Sequence, residues 1–280
     1  MRLAVASGKG GTGKTLIAAN LASTLARRQA TCLVDCDVEA PNAHLFLHPT
    51  LTQHEEISKR VPIIDESRCT ECGACVTACE FKALAFMAGN ALVFEELCHG
   101  CGRCGLVCPA GAITEVDHPL GVIERGLAGN LAFAHGRLHI GEAMASPIIR
   151  ELKRTAPEAE TTVLDAPPGT ACPVISALHG VDAALLVTEP TPFGLHDLRA
   201  AVRVARTLEL PAAVVINRDG VGDDEVERYC ADEGLPILLR IPFDRRIAET
   251  GAEARLLIDA LPEWKEPFER LADDVEELAK

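Results

Sequence analysis

The chain has 280 residues, is 48% hydrophobic, is poor in aromatic residues and carries a formal net charge of −14. That is enough apolar material for one large α/β domain plus a small module, while the acidity argues against a non-specific nucleic-acid surface, which needs clustered Lys and Arg. No apolar run approaches the ~18 residues of a membrane span, and no charged segment, long apolar core and cleavage site open the sequence, so a cytoplasmic protein is expected. Twelve cysteines in that compartment point to metal ligation before disulfides.

In chain order, the apolar run Arg2-Leu3-Ala4-Val5-Ala6 reads as a buried strand, and residues 16–26 carry apolar side chains at helical spacing. Between them lies Ser7-Gly8-Lys9-Gly10-Gly11-Thr12-Gly13-Lys14-Thr15, which satisfies G-x-x-x-x-G-K-[ST] in full. The motif makes Gly8, Gly10, Gly11, Thr12 and Gly13 a backbone cradle whose N–H groups face phosphate oxygens, helped by the positive end of the helix. Lys14 is expected to reach the β- and γ-phosphates and Thr15 to ligate Mg²⁺, making ATP and Mg²⁺ the expected ligands.

Lys9 is a second lysine inside the loop. The resulting K-G-G-T-G-K-T resembles the deviant Walker A motif of the MinD/ParA ATPases, with the nitrogenase iron protein and Mrp-type ATPases as more distant relatives. The resemblance implies an ATP-dependent homodimer in which Lys9 acts on the partner's nucleotide, so that Lys9 and Lys14 are both catalytic candidates. Residues 31–35 read as a second buried strand leading into Asp35-Cys36-Asp37-Val38-Glu39-Ala40-Pro41-Asn42. The resemblance makes this switch I, with Asp37 as third catalytic candidate, placing metal and attacking water, and Asp35 close behind. Cys32 and Cys36 stand at no ligand spacing and read as small packing residues.

Residues 45–64 are mixed in character, with an apolar Val61-Pro62-Ile63-Ile64 at the end. From 65 to 119 an insertion interrupts the domain formed by 1–64 and 120–280. It contains Cys69-x-x-Cys72-x-x-Cys75-x-x-x-Cys79 and, as an internal repeat, Cys98-x-x-Cys101-x-x-Cys104-x-x-x-Cys108-Pro109. Each is the run that bacterial ferredoxins use for [4Fe-4S] clusters. Three cysteines two residues apart wrap one cubane, and the fourth begins a helical turn and serves the other cluster. Cys69, Cys72, Cys75 and Cys108 are therefore expected to hold one cluster, and Cys98, Cys101, Cys104 and Cys79 the second. Zinc ribbons use paired knuckles, not triplets. Gly73, Gly102 and Gly105 allow close wrapping. One departure is Glu80, standing where proline would follow Cys79; a carboxylate there bears on the solvation of the nearer cluster.

Beyond the insertion, residues 121–140 read as strands or a hairpin around Gly136-Arg137, and 145–154 as a helix. Residues 161–165 form another buried strand, continued by Ala166-Pro167-Pro168-Gly169-Thr170, which resembles the family's D-x-P-P-G switch II. There Asp165 would hold Mg²⁺ through water and Gly169 would lend its amide to the γ-phosphate. Strands follow at 183–188, 212–217 and 236–241, with helices at 196–208, 223–233 and 262–279. The alternation predicts a mostly parallel, doubly wound α/β sheet with ligands at the carboxyl ends of its strands. Asn217 matches the family's base-contacting asparagine, and Pro242-Phe243-Asp244 the segment along the adenine. Cys172 stands at the offset from Asp165 where the nitrogenase iron protein places a bridging-cluster ligand, but no second cysteine lies at 121–146 to complete such a site. Residues 264–280 are acidic, unlike the basic amphipathic helix by which MinD reaches membranes.

The function expected from these residues is an ATP-hydrolysing dimeric switch whose nucleotide state gates electron transfer through two [4Fe-4S] clusters to a redox or client protein. An iron-sulfur or metallocofactor assembly or carrier ATPase is one alternative. A positioning or regulatory ATPase with structural or redox-sensing clusters is another.

Overall fold

The computed structural model describes residues 1–87 and 90–280; residues 88 and 89, within the insertion expected from the sequence, lie outside the described residues. In chain order its elements are β1 (Arg2–Ala6), α1 (Lys14–Leu25), β2 (Thr31–Asp35), α2 (Ala43–Leu47), β3 (Thr50–Ile64), α3 (Ala74–Ala78), β4 (Leu84–Met87), β5 (Asn90–Val93), α4 (Arg103–Leu106), β6 (Ile113–Ala128), β7 (Leu131–Leu138) and α5 (Ala145–Thr155). Then come β8 (Thr161–Asp165), α6 (Cys172–Leu178), β9 (Ala183–Thr188), α7 (Pro192–Thr207), β10 (Ala212–Asp219), α8 (Glu225–Asp232), β11 (Ile237–Pro242), α9 (Arg245–Ala252), α10 (Leu257–Ala260) and α11 (Lys265–Leu278). Among the described residues no helix is long and apolar enough to cross a membrane.

Every residue of β2 and β9 is buried, as expected of strands covered on both faces. β1 pairs in parallel with β8 and β9, β2 with β7 and β8, and β10 with β9 and β11. The sheet order is β11-β10-β9-β1-β8-β2-β7-β6-β3. This is the mostly parallel α/β sheet that the alternation of strands and helices predicts. α1 has small residues where a helix must lie close to its neighbours, Ala18, Ala19 and Ala22, and larger ones that fill the gaps, Ile17, Leu21 and Leu25. It packs in one core with Phe268, Leu271 and Val275 of α11. Its buried Asn20 is satisfied: the amide donates to Leu16 O (2.7 Å) and its oxygen accepts from Ile258 N (3.1 Å).

Two expectations need correction. Residues 45–64, which read as mixed, hold the end of α2 and the 15-residue strand β3. Its first half is exposed and charged and so shows neither an apolar run nor clean alternation; it lies at the sheet edge, where charged residues and Pro62 are compatible with pairing on one side only. The hairpin turns at residues 129–130, not at Gly136-Arg137, which sit inside β7; Gly129 has φ 59°, the left-handed geometry a two-residue turn demands.

The chain divides into two compact units, Met1–His54 with Ile123–Arg137 and Ile149–Lys280, and Glu55–Val122 with Leu138–Ile148. The second takes in more than the 65–119 insertion, because parts of β3 and β6 and the segment after β7 belong to it. It contains an ionic network around the buried Lys59. Lys59 Nζ donates to Glu142 Oε2 (3.2 Å) and to Glu95 O (2.7 Å), and His118 bridges Glu142 Oε1 (2.6 Å) and Glu95 Oε2 (2.8 Å). Glu95 opens the short turn that delivers Cys98, so the network fixes that loop.

Candidate functional site

In the first unit, the carboxyl ends of β1, β2, β8, β10 and β11 surround a cavity of about 380 Å³. Lys9, Gly10, Gly11, Thr12, Gly13, Lys14, Thr15, Asp37, Asn217 and Pro242, all singled out from the sequence, line it. Gly13, at φ 88°, ends the loop and starts α1; a side chain there would meet the Asn217 amide at 2.3 Å, so only glycine fits. The loop delivers the first-turn N–H groups of α1, which have no intrahelical partners, to the cavity.

Beneath the loop, Lys14 Nζ donates to Asp165 Oδ1 with both side chains buried. Burial alone would lower the lysine pKa, but the charge and hydrogen bond of Asp165 outweigh it and leave it raised. Asp165 Oδ2 and Thr12 Oγ1 are buried without a hydrogen-bond partner among the described residues. An orphaned carboxylate oxygen beside a phosphate cradle has the hard-donor chemistry that suits Mg²⁺ or its water.

Asp35 is the register partner of Asp165 on the adjacent strand. It is fully buried and accepts from Asp37 N (3.0 Å), Asn42 N (2.9 Å) and Ala43 N (2.9 Å). Burial and the Asp165 charge push its pKa up to about 7, against the N–H groups of Ala43 and Asp37 and the charge of Lys14. Its geometry is that of a clasp for the 36–43 loop, which places Asp37 at the cavity. Burial raises the pKa of Asp37 also, with Lys14 opposing. Burial pushes the Cys32 thiol up to about 12 and that of Cys36 higher still, consistent with packing roles.

Two sequence candidates for phosphate contact lie away from the cavity. Gly8 does not line the cavity; it packs so closely on Asp197 that a Cβ would lie 2.3 Å from its carbonyl oxygen. Gly169 also lies off the cavity, and its N–H is given to Ser7 O (3.0 Å). Asn217 is at the cavity, but its amide donates to Thr12 O (2.7 Å) and its oxygen accepts from Arg218 N (3.0 Å), so it ties β10 to the loop.

Sequence reasoning missed two residues. Glu189, at the end of β9 and buried, accepts Lys9 Nζ at 3.3 Å and Arg218 Nη1 at 2.6 Å; Arg218 Nη2 also reaches Gly11 O (3.3 Å). The available signal was a carboxylate at a strand's carboxyl end, the same signal that marked Asp35 and Asp165.

In the second unit, eight cysteines fall into two groups. Cys69, Cys72, Cys75 and Cys108 line one small cavity together with Ile64, Phe86 and Ile113; Cys79, Cys98, Cys101 and Cys104 line another with Pro62, Phe81 and Leu84. All eight thiols are free. Backbone N–H groups of Ala83, Gly100 and Ala112 point at the sulfurs of Cys79 (3.3 Å), Cys98 (3.5 Å) and Cys108 (3.3 Å). A Cβ on Gly100, at φ 63°, would come within 2.9 Å of Arg60 O, so the Cys98–Cys101 loop needs glycine to lie against β3. Among the described residues no three His, Cys, Asp or Glu converge tightly enough to hold a single metal ion. Four soft sulfur donors around an apolar pocket, with N–H groups aimed at sulfur, is the donor set of an iron-sulfur cube. Cys172 starts α6 and is exposed, in the other unit.

Residues 3–258 match the family profile of the CobQ/CobB/MinD/ParA nucleotide binding domain. The chain belongs to that family. An uncharacterized protein of Methanocaldococcus jannaschii is 33% identical over 89% of this chain and 88% of its own length. An iron-sulfur cluster carrier protein of Pyrococcus abyssi is 24% identical over 89% of this chain and 76% of its own. Among solved structures, the septum site-determining protein MinD with Mg-ADP from Pyrococcus horikoshii superimposes with a TM-score of 0.62 at 21% identity, covering 99% of this chain and 96% of that one, a likeness of fold. In this chain of a nucleotide-binding family, residues 9–15 of the phosphate-loop motif line the cavity.

Proposed function

We propose that this chain is a dimer-forming ATPase whose nucleotide state gates electron transfer, through two [4Fe-4S] clusters, to a protein partner. In this reading residues 1–64 and 120–280 form the ATPase and 65–119 a ferredoxin-like insertion. Cys69, Cys72, Cys75 and Cys108 hold one cluster, and Cys79, Cys98, Cys101 and Cys104 the other. The observation that carries it is the sorting of eight free thiols into two foursomes at two separate apolar pockets, in a chain of a nucleotide-binding family.

Each residue then has a task. Lys14 and the N–H groups of the 10–15 loop bind the phosphates and balance their charge. Thr15, Asp37 and the free oxygen of Asp165 would hold Mg²⁺, which supplies charge neutralisation at the β- and γ-phosphates. Asp35 keeps Asp37 in place. Gly169 can lend its amide to a γ-phosphate only by releasing Ser7 O, which makes that hydrogen bond the natural point at which triphosphate is sensed. Lys9 serves the partner's nucleotide on dimerisation and must leave Glu189 to do so. Glu189→Gln is accordingly expected to lower the ATP concentration for half-maximal dimerisation by about fivefold, the worth of ~1 kcal/mol of a partly exposed ion pair. Light scattering across an ATP titration checks this; an unchanged midpoint would mean that Lys9 is not restrained by the pair.

The test of gating is an anaerobic redox titration with ADP and with a non-hydrolysable ATP analogue. A shift of about 59 mV for one electron, a tenfold change in equilibrium, is the expected scale. If neither potential nor electron-transfer rate to an acceptor protein depends on nucleotide, gating fails. The resemblance to the Pyrococcus carrier protein favours a second reading, cluster delivery to a client. A carrier releases iron and sulfide to an apo-acceptor, whereas an electron-transfer ATPase keeps them through many turnovers.

A further inference from the structure

At the other end of β1 from the nucleotide loop lies a second cavity, of about 600 Å³, within the size range of small-molecule sites. It shares no residue with the nucleotide cavity. Arg2, Arg150, Lys153, Arg154 and His179 surround it, with Ile175 and Ser176, and no acidic residue lines it. In a chain of net charge −14 such a concentration of cations is not the expected composition of a surface hollow.

The floor of the cavity is built. Lys153 Nζ donates to Ser176 O (2.9 Å), Ala177 O (2.7 Å) and His179 O (2.6 Å), which spends all three of its N–H bonds on the carboxyl end of α6 and fixes the ammonium in position. Arg154 is held by both oxygens of Glu151. The backbone N–H of Arg2 occupies Asp182 Oδ2 (2.6 Å). For the guanidinium groups of Arg2 and Arg150, no hydrogen bond or ion pair occurs among the described residues. Arg154 is thus paired with Glu151, whereas the guanidinium groups of Arg2 and Arg150 face the cavity without a paired carboxylate among the described residues. Burial lowers the Lys153 pKa; Cys36 opposes this and the like charge of Arg2 adds to it.

We propose that this cavity is an anion site for a compact ligand carrying two or more phosphate groups, gripped by the forks of Arg2 and Arg150 over the fixed ammonium of Lys153. Guanidinium forks match phosphate oxygens bidentately, and a cluster of several cations in one hollow is best balanced by a ligand that concentrates charge equally.

The test uses the full chain with its nucleotide site saturated by ADP and excess Mg²⁺, so that the loop cannot account for binding. Titration calorimetry with inorganic tripolyphosphate should give saturable one-to-one binding that weakens with added salt. Arg2→Glu/Arg150→Glu should weaken it at least about tenfold, with Arg150→Ala intermediate, while fluorescent ADP affinity and the unfolding midpoint stay as in the parent. A parallel arm offers anionic phospholipid vesicles; charge-dependent binding to vesicles with none to tripolyphosphate assigns the same phosphate chemistry to lipid headgroups. Absence of binding in both arms, or binding indifferent to the double charge reversal, overturns the site.

Discussion

Lys14→Ala should abolish measurable binding of ATP and ADP, and should also destabilise the protein by about 3–5 kcal/mol, because it strands a buried carboxylate. Lys14 is buried and its ammonium lies on Asp165, which has no exposure of its own. The double variant Lys14→Ala/Asp165→Asn separates the two effects: stability should largely return, since no unpaired charge remains, but nucleotide affinity should not. Lys9→Ala, by contrast, removes a side chain at the cavity's rim. It should leave ATP binding within a few-fold of the parent and remove hydrolysis and ATP-dependent dimerisation. Fluorescent-nucleotide titration, urea unfolding and single-turnover hydrolysis make the comparison. Equal loss of binding in both variants, with hydrolysis per bound nucleotide unchanged in Lys9→Ala, would rule out a role for Lys9 in the partner's site.

Anaerobically prepared protein should carry about eight irons and eight acid-labile sulfides per chain, from two four-cysteine sites. Zinc in their place would overturn the assignment. Cys72→Ala should lose about half of the iron, and it should also loosen the cysteine-bearing segment of the second unit. Val61, Leu120, Val122 and Ile148 are buried elsewhere in that unit, but within 65–119 the buried apolar side chains among the described residues are Cys75, Ala83, Leu84 and Ala112. A module with so little core depends on its cross-links. Limited proteolysis after chelation should therefore cut within 55–122 and spare the nucleotide-binding unit; cleavage distributed evenly over the chain would refute the dependence.

The strands of the parallel sheet were legible because burial on both faces leaves no choice of residue: 2–6, 31–35, 161–165 and 183–188 are apolar runs, and strands occur over those residues. β3 was not, since an edge strand half in solvent is free to carry His54, Glu55, Glu56 and Arg60. The hairpin turn was misplaced for a related reason. Gly129-Asn130 and Gly136-Arg137 are both plausible turn dipeptides in local sequence, and only the pairing of β6 with β7 decides between them. The phosphate loop could be read because a motif records a backbone requirement. What Asn217, Gly169 and Glu189 do could not, since each depends on a partner far away in sequence: Thr12, Ser7 and Lys9.

The position of β1 sets an order of events during synthesis. Its sheet neighbours are β8 and β9, so a strand that leaves the ribosome well before them must wait until residues 161–165 and 183–188 have emerged before it can pair on both sides. By then the whole of the second compact unit, which ends at Ile148, has been made. At ~5–20 residues per second, the roughly 40 residues from Ile148 to the end of β9 take about 2–8 seconds. In that time the cysteine-bearing unit can fold on a nascent chain whose parallel sheet has not yet closed on both sides of β1.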